Sequence, residues 1–292
     1  MTIQIFNQEG LQFLQTIETN SVDLVLTDPP YITSRTTGMQ KWAEHVKLQD
    51  APGAKPAKTE QDWLKHVFVE TEQQYWLNLF ENSNFVDRTK AYNRMKEDFL
   101  KYGSIYGKKY AVTTDYGDWD SQFSLEILNE FVSEFYRVLR PGGTAIIFFD
   151  IWKITNLRDI LENNKFKQHR FIEWIKTNPQ PLNSSRNYLT NCREIALMGV
   201  KKGSPTFNSK YDNAVYEYPL QGGKDRFHPT QKSLPLFEEL IRKHSNPGDL
   251  VLDPFLGAST TAVAAKRTGR SFVGCEVDKD FYEKSLDRIN KS

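Results

Sequence analysis

The feature that most limits how this chain can fold is an alternation, running from Phe123 to the C-terminus, of short apolar runs with amphipathic segments. Leu125, Ile127, Leu128, Phe131, Val132 and Phe135 recur at the helical period, and Arg140-Pro141-Gly142-Gly143 then supplies helix-stop chemistry. The pattern predicts a strand over Thr144–Phe149, a helix over about Asn156–Asn163, and strands over Phe171–Lys176 and Ile195–Val200. A polar loop runs to His228. Beyond it come a helix (Leu234–His244), a strand (Leu250–Asp253), a helix (Ser259–Thr268), a strand (Ser271–Glu276) and a closing helix (Phe281–Asn290). At the other end, Ile3–Phe6 and Asp23–Thr27 read as buried strands around a helix carrying Leu11, Phe13, Leu14 and Ile17. Strands alternating with helices predict an α/β, doubly wound, mostly parallel sheet.

Between Tyr31 and about Asp118 this pattern dissolves. Ala51–Lys58 is a Pro/Ala/Lys-rich loop, and Trp63–Phe68 and Tyr75–Phe80 are short helical patches. So long a stretch is no ordinary connection, so 32–118 is expected to be an inserted subdomain in a body formed by 1–31 and 119–292. It is rich in aromatics (Trp42, Trp63, Tyr75, Trp76, Phe85, Tyr92, Tyr102, Tyr106, Tyr110) and holds thirteen Lys/Arg against twelve Asp/Glu. That balance suits a small folded unit and not a disordered tail.

A mean hydropathy of −0.59 excludes a membrane protein, and the longest apolar run, Thr144 to Trp152, is interrupted by Asp150 and far short of the ~20 residues of a spanning helix. Met1–Gln4 starts no signal peptide, so a cytoplasmic location is expected. Cys192 and Cys275 form no CxxC pair, and His45, His66, His169, His228 and His244 are scattered, so neither a disulfide nor a metal site is expected.

Two segments carry chemistry. In the first, Gly248 to Thr261, a strand ending at Asp253 runs through Pro254, Phe255 and Gly257 into a helix start at Ser259 and Thr260. A small-residue turn there lets a ligand approach the backbone, and Glu276 at the end of the next strand can accept from ribose hydroxyls. An ordinary βαβ turn with a solvated Glu fits these residues as well. In the second, the strand Asp23–Thr27 runs into Asp28-Pro29-Pro30-Tyr31. Two prolines stiffen the backbone and remove two N–H donors, leaving carbonyl acceptors beside a carboxylate and a ring. That set suits a planar group bearing an NH2.

Together, Asp28-Pro29-Pro30-Tyr31 near the start and Asp253-Pro254-Phe255-Leu256-Gly257 near the end make the chain resemble DNA amino-methyltransferases of the circularly permuted beta order. Ser21-Val22-Asp23-Leu24, Gly117-Asp118-Trp119-Asp120, Leu139-Arg140-Pro141-Gly142-Gly143, Trp174–Pro179 and His228-Pro229-Thr230-Gln231-Lys232 extend the resemblance over most of the chain outside 32–118. The adenine-N6 enzymes of GATC-type restriction–modification systems, some of which also accept single strands, are the relatives it suggests.

The resemblance implies S-adenosylmethionine as methyl donor and a flipped adenine as acceptor. It implies that Asp28 and the Pro29 carbonyl accept from the amino group, with Pro30 stiffening the turn and Tyr31 stacking on the base. Asp253, Pro254, Phe255, Gly257 and Thr260 are then the cofactor loop and Glu276 the ribose acid. His228, Thr230 and Lys232 lie beside the methionine end. Two positions depart from the pattern: Ser259 replaces the usual second glycine of the loop, offering a hydroxyl to the ligand, and Glu9 stands where an Asp normally contacts the adenine of the cofactor. The net charge of +1 hides an uneven distribution, since 176–232 has nine Lys/Arg against four Asp/Glu. Within that stretch the basic loop region 177–232, together with Lys176, is expected to face DNA phosphates through Lys176, Arg186, Arg193, Lys201, Lys202, Lys224 and Arg226. The insert 32–118 is the candidate reader of the sequence, with a lid or dimerisation element as the other reading. An N4-cytosine methyltransferase, which more often carries Ser in place of Asp28, is the alternative. So is an RNA or protein amide methylase, and so is a non-catalytic DNA-binding subunit. Double-stranded DNA is the expected partner; single strands, a second copy of the chain and a cognate restriction endonuclease are left open.

Overall fold

The computed structural model describes residues 1–31, 38–67, 88–108, 123–179, 189–222, 226–228 and 230–292. The chain divides into two compact units, Met1–Ile32 with Tyr116–Ser292, and Thr33–Asp115.

The larger unit is built on eight strands: β1 (Ile3–Asn7), β2 (Val22–Thr27), β3 (Leu139–Phe149), β4 (Lys167–Lys176), β5 (Arg193–Val200), β6 (Val215–Tyr218), β7 (Leu250–Asp253) and β8 (Ser271–Glu276). Their order in the sheet is β1-β8-β7-β2-β3-β5-β4-β6. All pairings are parallel except those of β5, which runs against both β3 and β4. Alternate residues of β2 and β3 feed opposite faces. Val25, Ala145, Ile147 and Phe149 pack under α1 (Gly10–Thr16), α5 (Leu125–Val138) and α6 (Ile154–Asn163). Leu24, Leu26, Ile146 and Phe148 pack under α7 (Leu234–His244), α8 (Thr260–Thr268) and α9 (Lys279–Lys291). This is the three-layer, doubly wound arrangement that the alternation demands.

Local chemistry explains the elements. The α5 helix starts where the Ser124 hydroxyl accepts from the Ile127 amide at 3.3 Å, and it buries Leu128, Phe131, Val132, Phe135 and Val138 on one stripe. Asp278 caps α9 by accepting from the Phe281 amide at 2.9 Å. The α7 helix has Pro235 in its first turn and Arg242, Lys243 and His244 in its last, as the helix dipole favours.

Three elements differ from the sequence pattern. Strand β3 begins at Leu139 and takes in the Pro-Gly-Gly turn, through a register shift against β2 between Val22 and Leu24. Strand β6 lies within the predicted polar loop; four residues at a sheet edge leave too little alternation to read. The predicted patch Tyr75–Phe80 lies outside the described residues.

In the second unit, α2 (Gly38–Gln49), α3 (Glu60–Val67) and α4 (Arg88–Tyr102) surround a small core of Trp63, Met95 and Phe99. The Trp63 indole donates to the Tyr92 hydroxyl at 3.0 Å. The α4 helix is mostly polar, and among its described side chains Tyr92, Met95, Phe99 and Tyr102 mark a buried stripe, with Leu100 partly buried beside it. Among the described residues, no helix is long and apolar enough to cross a membrane.

Candidate active site

The connection after β7 turns toward β8, whereas β2 leads to β3 on the other side, so the sheet order reverses between β7 and β2. A crevice opens outside the carboxyl ends of strands at such a point. Both chemistry-bearing segments end there.

The two strand ends are tied by buried side chains. Asp253 accepts from the Thr27 hydroxyl at 2.7 Å, the Thr261 hydroxyl at 2.6 Å and the Phe255 amide at 3.0 Å. Its carboxylate thus braces the turn against the strand that presents Asp28.

Asp28 itself is only partly engaged. Its Oδ2 meets the Lys232 ammonium at 2.9 Å, while Oδ1 is buried and has no hydrogen-bond partner among the described residues. Burial pushes its carboxyl up from 3.8 to about 6, against the opposing pull of Lys232. Lys232 also meets Glu194 Oε2 at 2.6 Å, and Glu194 Oε1 meets Lys176 at 2.7 Å. Burial disfavours the Lys232 ammonium, but the Asp28 and Glu194 carboxylates outweigh it and hold its pKa well above the ordinary lysine value. The Tyr31 hydroxyl lies 3.4 Å from Lys232 Nζ, and the Tyr31 ring meets Phe149 edge-on.

On the β7 side, Gly257 adopts φ 50°, a conformation glycine takes without strain, and its amide donates to Glu276 Oε2 at 2.8 Å. A Cβ added at Gly257 would point at the His228 ring, 3.7 Å away. Burial raises the Glu276 carboxyl to about 7, against the Gly257 and Asp278 amides that hydrogen-bond it. Burial, reinforced by Lys232, lowers His228 to about 4, so its imidazole is neutral at pH 7. The His228 ring packs edge-on against Phe281 at 4.5 Å, and its Nδ1 lies 3.1 Å from the Thr230 hydroxyl. Phe255 packs against Phe123 and Phe131.

A family profile described as DNA methylase matches residues 22–287. The chain belongs to the N6/N4 DNA methylase family. The Type II methyltransferase M2.DpnII of Streptococcus pneumoniae is 34% identical over 217 residues, 65% of this chain and 78% of that protein. Among solved structures, the M1.HpyAVI–SAM complex is similar over 98% of this chain and 100% of its own, with TM-score 0.57 and 24% identity. PvuII DNA methyltransferase, described as cytosine-N4-specific, is similar over 100% of this chain and 91% of its own, with TM-score 0.59 and 14% identity.

The remaining motif residues of this methylase make the following contacts within the chain. Lys232, expected at the cofactor, sits on Asp28 and Glu194. Ser259 adopts φ 59°, and its buried hydroxyl donates to the Ala258 carbonyl at 2.6 Å. That left-handed backbone is why a glycine suits the position. The Thr260 hydroxyl accepts from Arg288 at 3.2 Å. Glu9 caps α1, its two oxygens accepting from the Leu11 and Gln12 amides at 3.0 and 2.9 Å. Pro254 is buried, and its carbonyl accepts from Cys275.

Among the described residues, the cations of the basic stretch do not share one surface. Because β5 is antiparallel, Lys201 and Lys202 lie beside Gly142 and Gly143, at the opposite end of the sheet from Asp28. Lys201 is buried and donates to Asn20 at 2.7 Å. Lys176 is held by Glu194. Arg193, at the Asp28 end, is exposed and paired with Glu173 at 2.7 Å, and Arg226 is exposed. Arg186 and Lys224 lie outside the described residues, as does Gly117-Asp118-Trp119-Asp120. Sequence reasoning missed Thr27, Thr261 and Glu194. The available signals were a Thr directly before Asp28 and an acid near the head of an apolar strand. It also passed over Trp152, which follows β3 at the same end and is 88% exposed.

Proposed function

We propose that this methylase transfers the methyl group of S-adenosylmethionine to the exocyclic N6 of an adenine rotated out of DNA. The observation that carries this reading is Asp28: a half-buried carboxylate with one oxygen neutralised by Lys232 and the other, itself buried, without a partner among the described residues. An amino group donating to Oδ1 and to the Pro29 carbonyl would have its lone pair localised on nitrogen and aimed away from the ring. Tyr31 would supply a stacking face for the base. When bound, S-adenosylmethionine supplies a methyl group already activated on a sulfonium, so the protein mainly orients and polarises.

The residues around the crevice fit that ligand. Gly257 leaves room beside His228, a neutral imidazole does not repel a sulfonium, and Glu276 is a carboxylate at the end of β8 where ribose hydroxyls are bound in such folds. In this reading Phe255 and Gly257 line the cofactor, while Asp253 holds their loop in place. Arg193 and Arg226 contact phosphates, and the unit 33–115 reads the recognition sequence. The chain acts in the cytoplasm on double-stranded DNA, with single strands, a second copy of itself and a cognate restriction endonuclease as the further partners this reading allows.

Adenine is favoured over cytosine because Asp stands at position 28, where cytosine-N4 enzymes more often carry Ser. The N4-cytosine reading is the runner-up, because the fold is shared with a cytosine-N4-specific enzyme. Methylation of duplex DNA with labelled cofactor, followed by nucleoside chromatography, decides between them: N6-methyl-2′-deoxyadenosine is expected, and N4-methyl-2′-deoxycytidine would overturn the assignment. Asp28→Ala is expected to abolish transfer while calorimetry shows S-adenosylmethionine binding within a few-fold of the parent.

A further inference from the structure

One half-buried carboxylate beside Asp28 has no part in the chemistry just described. Glu194 lies opposite Trp174 in the β4–β5 ladder and holds two ammoniums, Lys232 at 2.6 Å and Lys176 at 2.7 Å. Asp28, Lys232, Glu194 and Lys176 therefore form one chain of alternating charge, contributed by the end of β2, the residue two before α7, the head of β5 and the end of β4. All four side chains are less than a fifth exposed. Lys232 reaches only one Asp28 oxygen.

We propose that Glu194 is a positioning residue for methyl transfer: by drawing the Lys232 ammonium to itself, it confines that cation to Oδ2 of Asp28 and keeps Oδ1 open for the target amino group. Without Glu194, a lysine with three donors and one remaining carboxylate is free to straddle both oxygens and cover the acceptor. The groups facing Asp28 agree with this. Lys232 and the Tyr31 hydroxyl favour its ionised form, and Glu194 opposes it. Burial pushes Glu194 itself up, but Lys232 and Lys176 outweigh this and hold it at about 2, so it stays charged across the working range. His228 is neutral there, and Phe148, under Lys232, is apolar.

The test is the pH profile of kcat/KM for duplex DNA at saturating S-adenosylmethionine, measured for Glu194→Gln, Lys176→Met and the double variant. Glu194→Gln is expected to lower kcat at least tenfold, leave the KM for S-adenosylmethionine within about twofold, and move the acid limb to lower pH. Lys176→Met removes a cation and is expected to move the limb to higher pH, with the double variant between them. Limbs that do not move, or that move in the same direction, would overturn the proposal, as would a Glu194→Gln enzyme with parental kcat. A structural role would lower thermal stability without moving the limbs. Should Glu194→Gln fail to fold, the upward movement in Lys176→Met carries the test alone. The inference rests on Asp28 receiving the amino group, and Asp28→Ala in the same assay separates the two ideas. An active Asp28→Ala refutes that reading itself. An inactive one combined with unmoved limbs refutes only the role of Glu194.

Discussion

Asp28→Asn is expected to destroy activity and yet make the protein more stable at pH 8. The Asp28 side chain is 18% exposed, and burial raises its pKa from 3.8 to about 6 in spite of Lys232. At 1.36 kcal/mol per pH unit, the ionised form costs the fold about 3 kcal/mol. Asparagine has nearly the same shape and no charge, so it removes that cost. The lost attraction to Lys232 is already contained in that net value, so a stabilisation of up to about 3 kcal/mol is expected. The pH dependence follows from linkage. A carboxyl whose folded pKa is raised contributes stability that is complete below about 3.8 and disappears as pH climbs through about 6. The advantage of Asn should therefore be small at pH 4, grow between pH 4 and 6, and level off above pH 7. Urea unfolding at pH 4, 6 and 8, without DNA or cofactor, measures it. An Asp28→Asn variant less stable than the parent at pH 8, or a difference independent of pH, would show that Lys232 and not burial dominates at this site.

Other predictions concern the frame around the crevice. Thr27→Val and Thr261→Val each remove a hydroxyl from the buried Asp253 carboxylate, and each should cost about 1.5–3 kcal/mol in denaturant unfolding, as hydrogen bonds to charged groups do. Ser259→Gly relieves a left-handed residue, and calorimetry should show a melting temperature raised by about 2–4 °C for each kcal/mol gained, with S-adenosylmethionine affinity unchanged. A weakened affinity would restore the hydroxyl as a ligand contact. Lys201→Met should destabilise the fold by about 1–3 kcal/mol through its lost bond to Asn20, and leave the salt dependence of DNA binding as in the parent. Arg193→Ala should reduce that slope by about one phosphate contact, as titrations at several salt concentrations would show.

What the sequence reveals here is what local chemistry dictates. The apolar stretches that become β2 and β7, the helix stripe from Leu128 to Val138 and the proline-stiffened turn after Thr27 are each set by a few neighbouring residues, and each can be read from the chain. Contacts between distant residues cannot. Lys232 lies 201 positions from Tyr31, and nothing near His228 tells that this lysine meets the Asp28 carboxylate. The direction of β5 is equally silent in its composition, yet it sends Lys201 and Lys202 to the end of the sheet opposite Asp28. Ser259 shows a third limit. Its left-handed backbone and its bond to the Ala258 carbonyl have no signature in the neighbouring residues.

The same geometry explains why the permuted order of motifs is immaterial to the site. Thr27 and Asp253 are 226 positions apart, yet β2 and β7 are adjacent and parallel, and one hydrogen bond joins their ends. The crevice needs two neighbouring strands whose connections diverge, with an acid and a stiff turn on one and a glycine turn on the other. It does not need either strand to come first. The chain can therefore leave the sheet just after Tyr31, fold the separate unit 33–115 and return for β3 without altering the strand ends that carry Asp28 and Asp253. What must be preserved is the bracing: Asp253 holds its turn with three donors, and the charge chain through Lys232 holds Asp28. A carboxylate kept buried and half-unpartnered is costly, and these two sets of contacts are what let the fold retain it.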